Sequence, residues 1–322
     1  MKTDSIELNE EQYEQFAAIL NEVERLRTLS RAEKEKIIRG ILEKPFIDLT
    51  CDWAFKHVFG HDEELLKMLL NDILPEKIVK IDYDPNEIDR FAANDKNVIM
   101  DVFCHTDDGR RILVEMQKKD EDGFHQRMLY YGAARLREQL EAGDDYETIC
   151  PVYVICFMDF KLPHYGTVIP PGKLIFFYKL MEEQTKEEYG NWLNIIFCEL
   201  PRLKEDNMKT LNPQEQWFAI MRNLPNFAER PAWLGERYDP LLKRARSKGL
   251  TSVEQTQYLR AMVSDKEIDK VARAYLRRGR EEEREKHRAE ILQIAKSLMA
   301  SGMLVEEVAR HTGLSPEVIE KP

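Results

Sequence analysis

VIMDVFCHTDDGRRILVEMQKK, residues 98 to 119, consists of two apolar, strand-like runs joined by Asp107-Asp108-Gly109, with Asp101 in the first run and Glu115 and Gln117 in the second. An Asp-Gly step between alternating runs is a strong hairpin signal. If the loop is centred on Asp108, residues whose numbers add to 216 face each other, so Asp101 lies opposite Glu115. Cross-strand neighbours sit about 5 Å apart and like charges there repel, which calls for a cation between the two carboxylates. Gln117 follows Glu115 by two positions and therefore points to the same face. A bulge at Gly109 is the alternative; it would shift the pairing by one and make the carboxylates meet diagonally.

The pattern outside the hairpin reads as mixed α/β flanked by helices. Residues 9 to 26 and 30 to 43 carry apolar positions three and four apart, with Ser30 as N-cap of the second stretch, and predict a helical pair that packs on the α/β domain after it. Helices are expected from near Trp53, within the stretch 50 to 59, and over 63 to 74 and 123 to 142, and strands over 77 to 83, 174 to 180 and 192 to 200. The near-continuous apolar run ICPVYVICFMDF, 149 to 160, predicts a strand buried on both faces and covered by helices. After about residue 205 the texture is helical, with Asn212 or Pro213 opening a helix and a charged connector, RRGREEEREKHR, at 277 to 288. The last thirty or so residues resemble a helix-turn-helix around Gly302 and Thr312-Gly313-Leu314-Ser315, read as a packing or oligomerisation hairpin more readily than as a DNA reader. The expected division is 1–44 as a helical N-terminal extension, 45–204 as the α/β domain and 205–322 as a helical C-terminal region, with self-association through the extensions.

Composition narrows the function classes. The chain has 322 residues and a formal net charge of -11, which argues against non-specific coating of nucleic acid and leaves room for a local basic groove. No window is apolar enough for a membrane span, and the N-terminus MKTDSIELNEEQYEQ lacks signal-peptide regions, so a cytoplasmic protein is expected. The five cysteines are scattered beside apolar residues and read as reduced core thiols rather than as zinc ligands.

Phosphodiester cleavage needs an activated water, charge compensation on the transition state and help for the leaving oxygen, and magnesium held by two or three acids can supply these. Asp101 and Glu115 fit as its carboxylate ligands, and the carbonyl of Met116, between Glu115 and Gln117, is a candidate third donor. An aspartate on one strand, a hairpin, an acidic-X-polar triplet and then a helix looks like the PD-(D/E)XK nuclease core. Residues 48 to 200 more specifically resemble the PD-(D/E)XK transposase-like family, also called recombination-promoting nucleases. The matching pieces are DWAFKHVFG (52–60), Lys96 and Asp101 in NDKNVIMD, VEMQ (114–117), FHQRMLYYGAARL with Arg127 and Tyr131, and the strands ICPVYVICFMDF and IIFCEL.

The resemblance implies an α/β, restriction-endonuclease-like core with a central mixed sheet flanked by helices. It also implies Mg²⁺-dependent, or Mn²⁺-dependent, endonucleolytic cleavage of DNA, linked to recombination and mobile elements. Asp52, on the first core helix, would be the supporting acid; its bland alternative is a helix cap near Trp53. The third triplet position is lysine in most of the superfamily and Gln117 here, a glutamine that the look-alike family shares. Glutamine orients water but lends no positive charge, so Lys56, Lys96 or Arg127 would stand in; Lys118 points to the opposite face and Lys119 lies farther along. Gln126 with Tyr130, and Arg127 with Tyr131, are i,i+4 pairs assigned to phosphate contact and support of the catalytic face, against plain packing on the sheet. His57 is read as structural. The alternative function is a catalytically silent DNA-binding or protein-interaction module that keeps the nuclease fold.

Overall fold

The hairpin of residues 98 to 119 becomes the middle of a mixed sheet. The computed structural model describes residues 8–85, 87–88, 98–99, 101–164, 168–204, 210–263 and 291–319. Their strands are β1 (Ile81–Tyr83), β2 (Glu87–Ile88), β3 (Val98–Ile99), β4 (Val102–Thr106), β5 (Arg111–Gln117), β6 (Val152–Met158), β7 (Ile175–Tyr178) and β8 (Leu193–Glu199). Six of them form one sheet in the order β1-β4-β5-β6-β8-β7, while β2 and β3 pair separately. β5, β6 and β8 run parallel, and β1, β4 and β7 join antiparallel. Parallel neighbours need a crossover, which α6 (Phe124–Arg137) provides between β5 and β6. All seven residues of β6 are buried, as a strand covered on both faces requires.

Side chains alternate across a strand, so the sheet has two distinct faces. Leu113, Val152, Val154, Cys156, Met158 and Phe197 meet Phe124 and Met128 of α6 on one. On the other, α4 (Asp52–Phe59), α5 (Glu63–Ile73) and α7 (Pro213–Asn223) close the core. Phe55 of α4 and Phe218 of α7 lie 6.1 and 6.5 Å, centroid to centroid, from Phe157 of β6. α7 opens as its sequence prescribes, with an Asn212/Glu215 capping box and Pro213 in the first turn. α5 ends at Leu74, held in an extended conformation (ψ 145) by the following proline.

The crossover helix sits close to the sheet because residue 132 is glycine. A Cβ there would come within 2.6 Å of Leu193 Cδ1 and 3.0 Å of Val154 Cγ2. Gly132→Ala is therefore expected to destabilise the protein by about 1–3 kcal/mol through overpacking, even though alanine is the better helix former. A urea midpoint equal to or above wild type would contradict this close approach.

The chain separates into two compact units, Met1–Met262 and Val263–Pro322. In the first, α1 (Glu10–Glu22), α2 (Glu24–Arg27) and α3 (Arg31–Leu42) form the N-terminal helices, and Ser30 caps α3 in a capping box with Glu33. The same unit holds α8 (Asp239–Arg244) and all but the last residue of α9 (Ser252–Val263). In the second, the helical residues 291–300 (α10), α11 (Val305–Thr312) and the four-residue α12 (Pro316–Ile319) pack Ala295 and Val308 with Leu298, Met299 and Leu314. The charged stretch 277 to 288 lies outside the described residues.

Candidate active site

The hairpin register is the one that places residues summing to 216 opposite each other: Val102 pairs with Val114, Phe103 with Leu113, Cys104 with Ile112 and His105 with Arg111. The turn closes through Gly109 N–H to Thr106 O and Thr106 N–H to Arg110 O, both 2.9 Å. Gly109 takes φ +86, and a Cβ on it would meet Cys150 Sγ at 2.8 Å, so glycine is required twice over. One expectation changes. The first run is not a single strand, because Val98–Ile99 pairs with Glu87–Ile88 in the separate ribbon and only Val102–Thr106 joins the main sheet. Asp101 sits in the bend immediately before β4.

That bend turns the Asp101 carboxylate inward. Its Oδ2 accepts the Met116 N–H at 2.8 Å, while Glu115 Oε2 accepts the Asp101 N–H at 3.1 Å. Asp101 thus pairs with the backbone of β5 and Glu115 with that of the bend before β4, which fixes both carboxylates at the end of β5. In a strand the N–H and C=O of one residue lie on the same edge, so the Met116 carbonyl also points toward the Asp101 side.

Both acids are held above their ordinary pKa range. Burial, followed by the nearby Asp52 charge, pushes Asp101 up from 3.8 to about 6, against the opposing pull of Lys56 and the Met116 N–H. Glu115 is raised well above its usual value, first by burial and then by the charge of Asp101, with the Asp101 N–H and Arg127 acting in the opposite direction. A site that resists its own ionisation this strongly is one that a cation would relieve. The donor set is all oxygen, as magnesium or manganese prefers. Asp52 stands in the first turn of α4, with Cys51 as the N-cap residue, and its charge reaches both acids. Among the described residues no three His, Cys, Asp or Glu side chains meet as a metal-holding group. The oxygens that could hold a cation are those of Asp101 and Glu115, with the Met116 carbonyl on the same side.

The surrounding cations divide their work. Lys56 Nζ lies 3.1 Å from Asp101 Oδ1. Gln117, largely buried, accepts from Arg127 Nη2 at 2.5 Å and donates through Nε2 to Lys119 O at 2.8 Å. Arg127 also holds Glu121 Oε2 at 2.9 Å. Tyr131, one turn on, has its phenol pKa raised by burial and then by the Glu115 charge. Gln126 and Tyr130 are exposed on a different side of α6 and are not brought to the acids. Lys118, on the other face, pairs with Asp48 at 3.2 Å. His57 stacks on Trp53 at 4.9 Å and lies 3.6 Å from Glu254, as a structural histidine would. Lys96 lies outside the described residues.

Glu121, which braces Arg127, was not singled out from the sequence. The acidic triplet Asp120-Glu121-Asp122 before α6 offered a helix-dipole signal. Choosing among its members required the fold.

Comparison with protein families matches residues 49–289 to the PD-(D/E)XK nuclease family transposase. No curated protein and no solved structure matches the chain.

Proposed function

The chain belongs to the PD-(D/E)XK nuclease family transposases, and from that premise we propose that it is a metal-dependent DNA endonuclease of the cytoplasm, acting in recombination or on mobile elements. The observation that carries this reading is the Asp101/Glu115 pair: a buried and a part-buried carboxylate, each bonded to the other residue's side of the hairpin at the sheet end, both raised in pKa. Among the described residues no helix is long and apolar enough to cross a membrane.

In this reading Asp101, Glu115 and the Met116 carbonyl hold Mg²⁺ or Mn²⁺. The bound ion would supply a Lewis acid for the scissile phosphoryl group and a lowered pKa for the attacking water. Asp52 adds negative charge behind the pair and favours cation binding. Gln117 orients water with its amide and, through its Oε1, holds Arg127 beside the carboxylates. Arg127 contributes the positive charge that glutamine lacks, in a fork geometry suited to a phosphate. Lys56, half-exposed on Asp101, would be the cation available to a substrate phosphate if that carboxylate were engaged by metal.

A second reading has one observation in its favour. Both ends of the Gln117 amide are engaged, by Arg127 and by Lys119 O, as they would be in a silent module that keeps the fold for DNA or protein binding. Incubating supercoiled plasmid with Mg²⁺ or Mn²⁺ separates the two. Wild type is expected to nick, and Asp101→Ala to lose nicking by about 10³-fold or more, together with the calorimetric heat of metal binding. DNA binding without nicking by wild type would support the silent module, and unchanged metal affinity in Asp101→Ala would remove the proposed site.

A further inference from the structure

The same end of the sheet carries a second ionic cluster that the proposed chemistry does not use. Gln117 of β5 is in register with Met158 of β6, and Met158 with Glu199 of β8. Registered residues on parallel strands point to one face, so Glu199 shares the face of Glu115 and Gln117, two strand spacings or about 10 Å away. Its carboxylate is fully buried and carries two partners: His164 Nε2 at 2.7 Å on Oε1, and the Arg202 guanidinium on Oε2. The Phe176 ring organises the group. His164 stacks on it at 4.3 Å, Arg202 lies 5.1 Å from its centroid and the exposed Lys173 ammonium 5.3 Å.

In a chain of net charge -11, Lys173 and Arg202 together outweigh the single carboxylate among them. Glu199 and Phe176 hold the Arg202 side chain in place, and the exposed Lys173 ammonium is gathered on the same Phe176 ring. An ordered guanidinium and an ammonium gathered on one ring are the groups that bind phosphate. We propose that Lys173 and Arg202, ordered by Glu199, His164 and Phe176, form a subsite for a backbone phosphate of the DNA flanking the scissile bond. This rests on the nuclease reading. It assigns the β8–β7 end of the sheet to the path of the substrate backbone.

The test is binding of a fluorescent duplex by the full chain, measured by anisotropy across a salt series and set beside plasmid nicking. Lys173→Glu, at an exposed position whose change leaves the Glu199 pairs intact, is expected to weaken DNA binding by about 3–10-fold and to reduce the slope of log K against log salt by about 1. Its thermal midpoint should stay at the wild-type value. Arg202→Lys, which can still pair with Glu199, is expected to weaken binding in the same direction. If wild type binds and nicks while both variants match it in affinity and salt slope, the subsite is overturned and the nuclease reading stands. If wild type neither binds nor nicks, both fall together.

Discussion

Glu115→Gln is expected to make the metal-free protein more stable at pH 8 while abolishing cleavage. The reason lies in the sign of the shifts. Asp101 and Glu115 both have folded-state pKa values above their ordinary ones. Between the unfolded and folded values the native state binds more protons than the unfolded state, so stability falls as pH rises through that window. For Asp101 the window runs from 3.8 to about 6, and for Glu115 it opens at the ordinary value of 4.5 and extends upward. By pH 8 the protein carries the cost of a buried and a part-buried charge that repel each other. Glutamine keeps an acceptor for the Asp101 N–H, removes one charge and relieves the other. The gain should be about 1–3 kcal/mol, read from urea unfolding in EDTA, and it should shrink toward pH 5. Adding Mg²⁺ should raise the wild-type midpoint by mass action and leave that of the variant unchanged. A variant less stable than wild type at pH 8 in EDTA would mean that the carboxylates are not in electrostatic conflict.

How much of this was legible in the sequence depends on the range of each interaction. The hairpin register could be read because alternation and an Asp-Gly turn are local, and the buried β6 because a strand covered on both sides cannot hide its composition. Ser30 and Asn212 announced their helices through capping boxes that span three residues. The break at Asp101 was not legible: Val98–Ile99 is as apolar as Val102–Phe103 beyond it, and its diversion to a separate ribbon depends on pairing with Glu87–Ile88. The partners of Gln117 were also hidden. Three cations were candidates to replace the absent lysine, and only packing α6 against β5 brings Arg127 onto Gln117 while α4 brings Lys56 onto Asp101. Glu199 gave no signal at all, since a single acid at the end of an apolar run acquires meaning only when a loop histidine, an arginine one turn on and a ring on the edge strand converge on it.

The Gln117–Arg127 contact leads to the second large effect. If Gln117 carries the guanidinium that replaces the lysine charge, the two residues form one unit, and changing either alone should do more harm than changing both. Arg127→Gln removes the charge and is expected to lower the nicking rate by about 10²-fold, the scale of losing one donor to a developing oxyanion. Gln117→Lys alone sets an ammonium against the half-buried guanidinium of Arg127, where there is now no acceptor for Nη2, and is expected to lower the rate as well. The pair Gln117→Lys/Arg127→Gln returns a single cation to the site, with glutamine able to accept from the new lysine, and should recover to within about tenfold of wild type. The cycle would then show a coupling of roughly 1.4 kcal/mol or more, in the rate of nicking rather than in DNA affinity. Two results would break the unit apart. A Gln117→Lys single variant faster than wild type would make glutamine a weakened lysine, and additive losses in the double variant would leave Arg127 with no part in replacing the missing charge.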